Sequence, residues 1–298
     1  MFLERNNMDI FETRVEEVGS AMKEWRDKTK VGLTEDGKGY TVTGDERVPE
    51  GIILPRVTGV LSIIEKYGLR TWAMRMALTH VEENLAEAAQ VMPFDEALKL
   101  TLAGAAKAHE ERRDTAADYG TEAHALLQQK FIEPDTVVPK EFKPVVDSWE
   151  KWMEEAELKV LATEMPLYYH DTVSRMAPVS FAGTADLIAL DKNGMPVICD
   201  YKTGASIYSE YALQMGAYAM ALAFCGIGNF LSVDQMRNTR AVVVRLPKEE
   251  GLPIEVKEVE DVLYHQEVFE YTCKLRQWQS KRNKWIAKKK KRSTSKNG

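Results

Sequence analysis

The spacing of apolar positions along this chain shifts between helical and strand periods, and the shifts divide it into elements. Residues 8–30 read as a polar amphipathic helix, and Tyr40–Thr43 and Gly51–Leu54 as short strands or loop around turn residues. From Val57 the segment VTGVLSIIEKYGLRTWAMRMALTHVEENLAEAAQ has helical character, with Thr58 as its cap and Gly68 as a break. Residues 1–105 are thus predicted to form a mostly helical N-terminal lobe. Lys107–Phe131 and Glu141–Leu158 are two further helices, joined by the Pro-containing polar link EPDTVVPK. Strand character then takes over in Lys159–His170, Val179–Leu190 and Val197–Lys202. The last two are separated by Asp191, Lys192, Asn193 and Gly194, whose Asn-Gly pair is a strong hairpin-turn signal. Ile207–Phe224 is helical again, Arg240–Leu246 (RAVVVRL) is a β-branched strand, and a closing helix runs from about Glu258 to Trp285. This order, without an internal repeat, predicts an α/β fold in which helices flank a small mixed sheet.

Composition adds bounds to that picture. The chain has 298 residues, 44% hydrophobic and 29% charged, ordinary for a soluble globular protein with a sizeable core. Cys199, Cys225 and Cys273 are scattered without CxxC spacing, so neither a disulfide framework nor a zinc or iron–sulfur site is suggested. The N-terminal MFLERNNMDIFETRVEEVG is acidic and lacks the basic start and apolar run of a secretory signal, and a cytoplasmic setting (bacterial, or a phage-infected host) is expected. Tyr211–Leu231 lacks charges, but its Ala and Gly content with Gln214 and Asn229 favours a buried helix followed by a loop over a membrane span.

Charge is polarised along the chain. The net charge is −6, yet residues 281–298 hold nine Lys and Arg and no acid. Residues 1–280 therefore carry 31 basic against 46 acidic groups, net −15. The run KKKKR (Lys288–Arg292) either attracts a polyanion or is a solvated end, and both readings stand. An acidic body argues against gripping a duplex over a large face.

The candidate chemistry lies on the predicted hairpin. Asp200 and Lys202 are two apart on a strand and share a face, while Cys199 and Tyr201 take the other. Asp186 lies on the partner strand across the Asn-Gly turn, so the hairpin can bring both carboxylates and the ammonium together. Like charges that close repel unless neutralised, and a hard divalent cation with oxygen ligands does so, which implies Mg²⁺ or Mn²⁺. Carboxylates on a cation with a lysine beside them suit phosphodiester hydrolysis. DYKTG alone would be an ordinary exposed hairpin end.

The stretch FAGTADLIALDKNGMPVICDYKTG, followed by YALQMGAYAMAL, resembles the PD-(D/E)XK nuclease superfamily, specifically its RecB-type exonuclease branch of phage recombination and mitochondrial genome maintenance exonucleases. The branch's G-x-x-D strand, D-x-K strand and Q-x-x-x-Y helix are matched by Gly183 with Asp186, Asp200 with Lys202, and Gln214 with Tyr218. The likeness covers roughly residues 107–246, and Arg56–Ala73 loosely resembles the helical lobe of phage members. It implies a restriction-endonuclease-like core over 106–280, followed by a basic tail, 281–298. It also implies metal ligation by Asp186, Asp200 and, from GTEAH (Gly120–His124), His124. Glu164 resembles the branch's accessory acid, and Gln214 and Tyr218, one helical turn apart, would pack over the site against Lys202 or the DNA backbone. For Tyr218 the plain alternative is core filling beside Met215 and Ala219; for His124 it is a packed helical histidine; for Glu164 it is solvent. Two departures stand out: Ala185 replaces the superfamily's Pro before Asp186, and the cysteine quartet of its iron–sulfur members is missing.

The function this implies is metal-dependent DNA cleavage, favouring an exonuclease of recombination, repair or replication that takes DNA ends or single strands. A recombination or replication partner is one implied option, and the oligomeric state stays open. A narrow passage for single-stranded DNA, with bases stacking on Trp72, fits the acidic body; Trp72 is as easily core beside Met76. The rivals are a structure-specific endonuclease using the same group, a non-catalytic nucleic-acid-binding module on a degenerate nuclease fold, and a purely structural protein.

Overall fold

The structure, a computed structural model, describes residues 2–65, 67–171, 173, 178–225 and 238–294; for 2–11, 67, 111 and 282–294 the backbone alone is described. Contacts divide the chain into two compact units, Met1–Ile63 with Asp135–Gly298, and Ile64–Pro134. In chain order the first unit opens with α1 (Phe2–Lys28), β1 (Lys30–Leu33), β2 (Gly39–Thr43), β3 (Ile53–Pro55) and α2 (Val57–Leu61). The second unit comprises α3 (Tyr67–Val91), α4 (Phe94–Ala105) and α5 (Ala108–Ile132). The first then resumes with α6 (Lys143–Glu155), β4 (Lys159–His170), β5 (Ser180–Leu190), β6 (Pro196–Lys202), α7 (Glu210–Phe224), β7 (Arg240–Arg245), β8 (Glu255–Glu258) and α8 (Val262–Thr294).

The expected α/β architecture is present: a five-stranded mixed sheet in the order β4-β5-β6-β7-β8, flanked by helices, consistent with a restriction-endonuclease-like core. All neighbours are antiparallel except β6 and β7, which run parallel. The hairpin between β5 and β6 closes as its composition predicts. Asp191 Oδ1 accepts the backbone N–H groups of Asn193 (2.8 Å) and Met195 (3.0 Å), and Gly194 takes φ 75° where a side chain would be strained. A parallel pair needs a crossover, and α7 lies within the one joining β6 to β7.

Central position explains composition. Leu187–Leu190 of β5 and Val197–Cys199 of β6 are buried on both faces, so these strands read as continuous apolar runs rather than alternating ones. Helix α7 is buried from Gln214 to Ala219, and it packs on α8 so closely that a Cβ on Gly216 would stand 2.8 Å from the backbone N of Gln266. On the sheet's other face α6 sets Trp152 edge-on to Tyr201, with ring centroids 6.0 Å apart. The three cysteines are free and buried, and burial pushes the thiols of Cys225 and Cys273 up to about 12.

The chain's opening segment is tied to this sheet by a polar clamp. Arg47 donates to both oxygens of Asp45 (Nη2 to Oδ2, 2.6 Å) and to the carbonyl of Phe224 (2.7 Å), and stacks on the Phe224 ring at 4.3 Å. The Tyr168 hydroxyl of β4 donates to the same Asp45 carboxylate. Burial works against the charge on Asp45, but these hydrogen bonds outweigh it and hold the carboxyl at about 2.

Several boundaries fall elsewhere than the periodicity suggests. Gly68 is inside the first turn of α3, and the break precedes it. Thr58 is inside α2; its N-cap is Arg56, whose extended backbone bridges Ala182 and so fixes Val57 as the first helical residue. The closing helix starts at Val262, where the Asp261 carboxylate accepts the N–H of Tyr264 (3.2 Å), and the residues before it form edge strand β8. That helix continues to Thr294, so most of the basic tail has helical backbone; its last residues, 295–298, and the side chains from 282 lie outside the described residues. Among the described residues no helix is long and apolar enough to cross a membrane.

Candidate active site

Strands β5 and β6 pair as far as Leu187 and Cys199. One position further along stand Asp186 and Asp200, where the backbone ladder gives way to side chains. The N–H of Tyr201 donates to Asp186 Oδ2 at 2.6 Å, so a carboxylate takes the place of a carbonyl in satisfying the β6 backbone. Asp186 is 7% exposed and Asp200 2%. Burying two carboxylates this deeply is costly unless each is hydrogen-bonded or paired, so their surroundings decide what they can do.

Asp200 is gripped from two sides. Lys202, two residues on, pairs with its Oδ2, consistent with the shared strand face. Gln214 of α7 donates to its Oδ1 at 3.1 Å and to the Tyr218 hydroxyl at 3.0 Å. Gln214 therefore meets Asp200, and Tyr218 is both core and a member of this chain of bonds. Burial and the adjacent Asp200 charge push the Tyr218 phenol well above its ordinary range, so it stays protonated. Burial opposes the charge on Lys202, but Asp200 and then Asp186 outweigh it, and the ammonium titrates above an ordinary lysine.

Glu164 enters from β4. The register places it between the pairs Thr163–Leu187 and Met165–Ala185, opposite Asp186. Its φ of 46° is left-handed, one of three such non-glycine residues among those described. A kink of this kind inside a strand costs on the order of 1–3 kcal/mol and redirects the side chain. Glu164 and Asp186 offer carboxylate oxygens within 4.8 Å of one another, a donor set of hard oxygens that suits a divalent cation.

The remaining predicted residues are placed as follows. His124 lies half-buried on α5 in the second unit, between buried Ala123 and Leu127 in sequence. Trp72 and Met76 are both half-buried on α3. Gly183 has a packing reason: a Cβ there would stand 2.7 Å from Tyr218 Cε1 and 3.3 Å from Val57 Cγ2. Only hydrogen fits beneath that ring.

Sequence reasoning missed Tyr211, whose ring lies 4.8 Å from the Lys202 ammonium. Its signal was available, because Tyr211, Gln214 and Tyr218 recur at i, i+3 and i+7 along one helical face. It also missed Tyr40 of β2, whose hydroxyl meets Thr184 Oγ1 at 3.1 Å, a contact across 144 residues that no local pattern announces.

No curated protein matches the chain. Among solved structures, the crystal structure of SSO0001 is similar at 13% identity, over 74% of this chain and 82% of that one, with a TM-score of 0.30; a likeness this loose carries no argument. The family comparison is decisive by contrast. The profile of the PD-(D/E)XK nuclease superfamily matches residues 95–292, about two thirds of the sequence and all of the five-stranded sheet, and the chain belongs to that superfamily of metal-dependent nucleases.

Proposed function

We propose that this nuclease hydrolyses DNA phosphodiester bonds with Mg²⁺ or Mn²⁺, acting as a RecB-type exonuclease on ends or single strands during recombination, repair or replication. Membership in the superfamily makes nucleic acid its substrate; the choice of DNA, cation and mode of attack is our reading. The observation that carries it is the convergence of Glu164, Asp186, Asp200, Lys202 and Gln214 where β5 and β6 separate.

The donor chemistry fits the cation. Asp186 would hold it, with Glu164 beside it as accessory acid; Asp200, from the D-x-K motif, and His124, in its GTEAH context, are proposed as further ligands. Bound there, the cation would supply Lewis-acid polarisation of the phosphodiester and activation of a water nucleophile. The chain's own residues do the rest. Lys202, kept cationic by its carboxylate neighbours, stabilises charge developing on the phosphate or orients the attacking water. Gln214 fixes Oδ1 of Asp200 and Lys202 pairs with Oδ2, so a cation would share that carboxylate with the ammonium, and Tyr218 fixes Gln214. The acidic body and the basic C-terminal run together favour local capture of a strand or end over broad duplex binding.

The test is digestion of linear, circular, single- and double-stranded DNA labelled at the 5′ or 3′ end, with Mg²⁺ or Mn²⁺. Exonucleolytic action predicts shortening of linear DNA from a labelled end while circles survive; nicked or linearised circles would establish an endonuclease instead. Asp200→Ala and Lys202→Ala should each reduce cleavage by at least about 10²-fold with folding intact. Asp200→Ala should also weaken cation binding, and Lys202→Ala should not. Near-normal cutting by either variant at saturating cation would overturn the assignment.

A further inference from the structure

We infer that Tyr208 and Tyr211 form an aromatic step on which a nucleobase next to the cut phosphodiester stacks, a subsite for bases beside a site otherwise built to handle phosphate. The inference deepens the reading of this site as a DNA nuclease and rests on it. Tyr211 sits at the first turn of α7 with its ring 4.8 Å from the Lys202 ammonium, and Tyr208 stands edge-on to Tyr211, with centroids 5.7 Å apart at 75°. The backbone holds this arrangement, since the N–H of Tyr211 donates to the Tyr208 carbonyl at 3.1 Å.

The two tyrosines differ in how they meet solvent. Tyr211 is half-buried and already engaged with Lys202, whereas Tyr208 is 45% exposed at the end of the loop that leaves β6. The open face of Tyr208 is linked through the Tyr211 ring to the lysine of the candidate site. A base resting on Tyr208 lies two contacts from Lys202, 5.7 Å between the two rings and 4.8 Å from the Tyr211 ring to the ammonium, so its sugar and phosphate would run past Tyr211 toward Lys202. Aromatic stacking tolerates every base, as a nuclease without sequence preference requires. The occupant it fits is an unpaired base, because a base held in a duplex stack has no free face to offer. Tyr211 is the positioning residue, since it acts through Lys202 and supports Tyr208.

The experiment uses the full chain with Mn²⁺ or Mg²⁺ and single-stranded oligonucleotides in which one abasic site is walked past the cut position. Wild type should cut the normal strand with a KM about ten-fold below that for the strand abasic at one position, at similar kcat. Tyr208→Ala should lose that discrimination and treat both strands as wild type treats the abasic one, while Tyr208→Trp should restore it. Tyr211→Phe should keep the step, and Tyr211→Leu should lower kcat as well as raise KM. Equal loss by Tyr208→Ala on both strands, or none, overturns the base step and leaves the nuclease reading intact. Wild type that cuts neither strand overturns cleavage of single strands, and the DNA reading falls only if double-stranded ends also survive; fluorescence anisotropy of the two labelled strands on cation-free protein then decides the step, which falls if Tyr208→Ala leaves their relative binding unchanged.

Discussion

Replacing Gly183 with alanine adds one methyl group at the point where Tyr218 lies on β5. That carbon would stand 2.7 Å from Tyr218 Cε1 and 3.3 Å from its hydroxyl, against about 3.5–4.0 Å for relaxed contact, so the ring must retreat by about 1 Å. It has little room, being 4% exposed and hydrogen-bonded to Gln214 at 3.0 Å. Overpacking of this kind costs about 1–3 kcal/mol, which for a protein of this size lowers Tm by roughly 2–12 °C. Activity should fall further than stability suggests. Moving Tyr218 drags Gln214 from Asp200, and a hydrogen bond to a charged group is worth about 1.5–3 kcal/mol, or roughly ten- to hundred-fold in kcat. The assay is thermal denaturation beside single-turnover cleavage at saturating cation, repeated in a Tyr218→Ala background. There the ring is gone and the added methyl meets only Val57 Cγ2, at 3.3 Å, so Gly183→Ala should cost clearly less than it does in wild type. An unshifted Tm with unchanged cleavage, or full additivity of the two substitutions, would refute the argument.

Three other outcomes follow from the same structure. The Asp45 carboxyl is lowered from 3.8 to about 2, so its clamp contributes stability that is whole above about pH 4 and lost as pH falls toward 2, about 2 kcal/mol in all. Denaturant titrations should show wild type losing that much more than Asp45→Asn over this window, and parallel losses would exclude the clamp. His124→Ala should steepen the dependence of cleavage on cation concentration or shift preference toward Mn²⁺; a variant that loses stability with its cation dependence intact marks His124 as a packing residue. Replacing Lys288–Arg292 by glutamine should leave kcat unchanged and flatten the salt dependence of DNA affinity by roughly 0.7–0.9 in slope for each phosphate the run neutralises. Equal slopes would make this run a solvated end.

The sequence by itself determined the elements whose pattern is local and the residues whose chemistry is local. The hairpin of β5 and β6 was legible because Asn193-Gly194 marks the turn, and Asp200 with Lys202 because alternation along a strand sets their common face. Helix α7 was legible from its apolar run. Strands β1 and β8 were not, because short exposed edge strands carry no periodicity to read. The packing of Met1–Ile63 with Asp135–Gly298, fastened by Arg47 on Phe224 and Tyr40 on Thr184, was decided by tertiary structure, since neither pairing leaves a trace in local spacing. So were the partner of Gln214, the kink at Glu164 and the approach of Tyr211 to Lys202. The physical reason is common to all of these. Periodicity reports which way a side chain leaves its own backbone, whereas hydrogen bonds, ion pairs and ring stacking depend on distances between segments that only the closed sheet fixes.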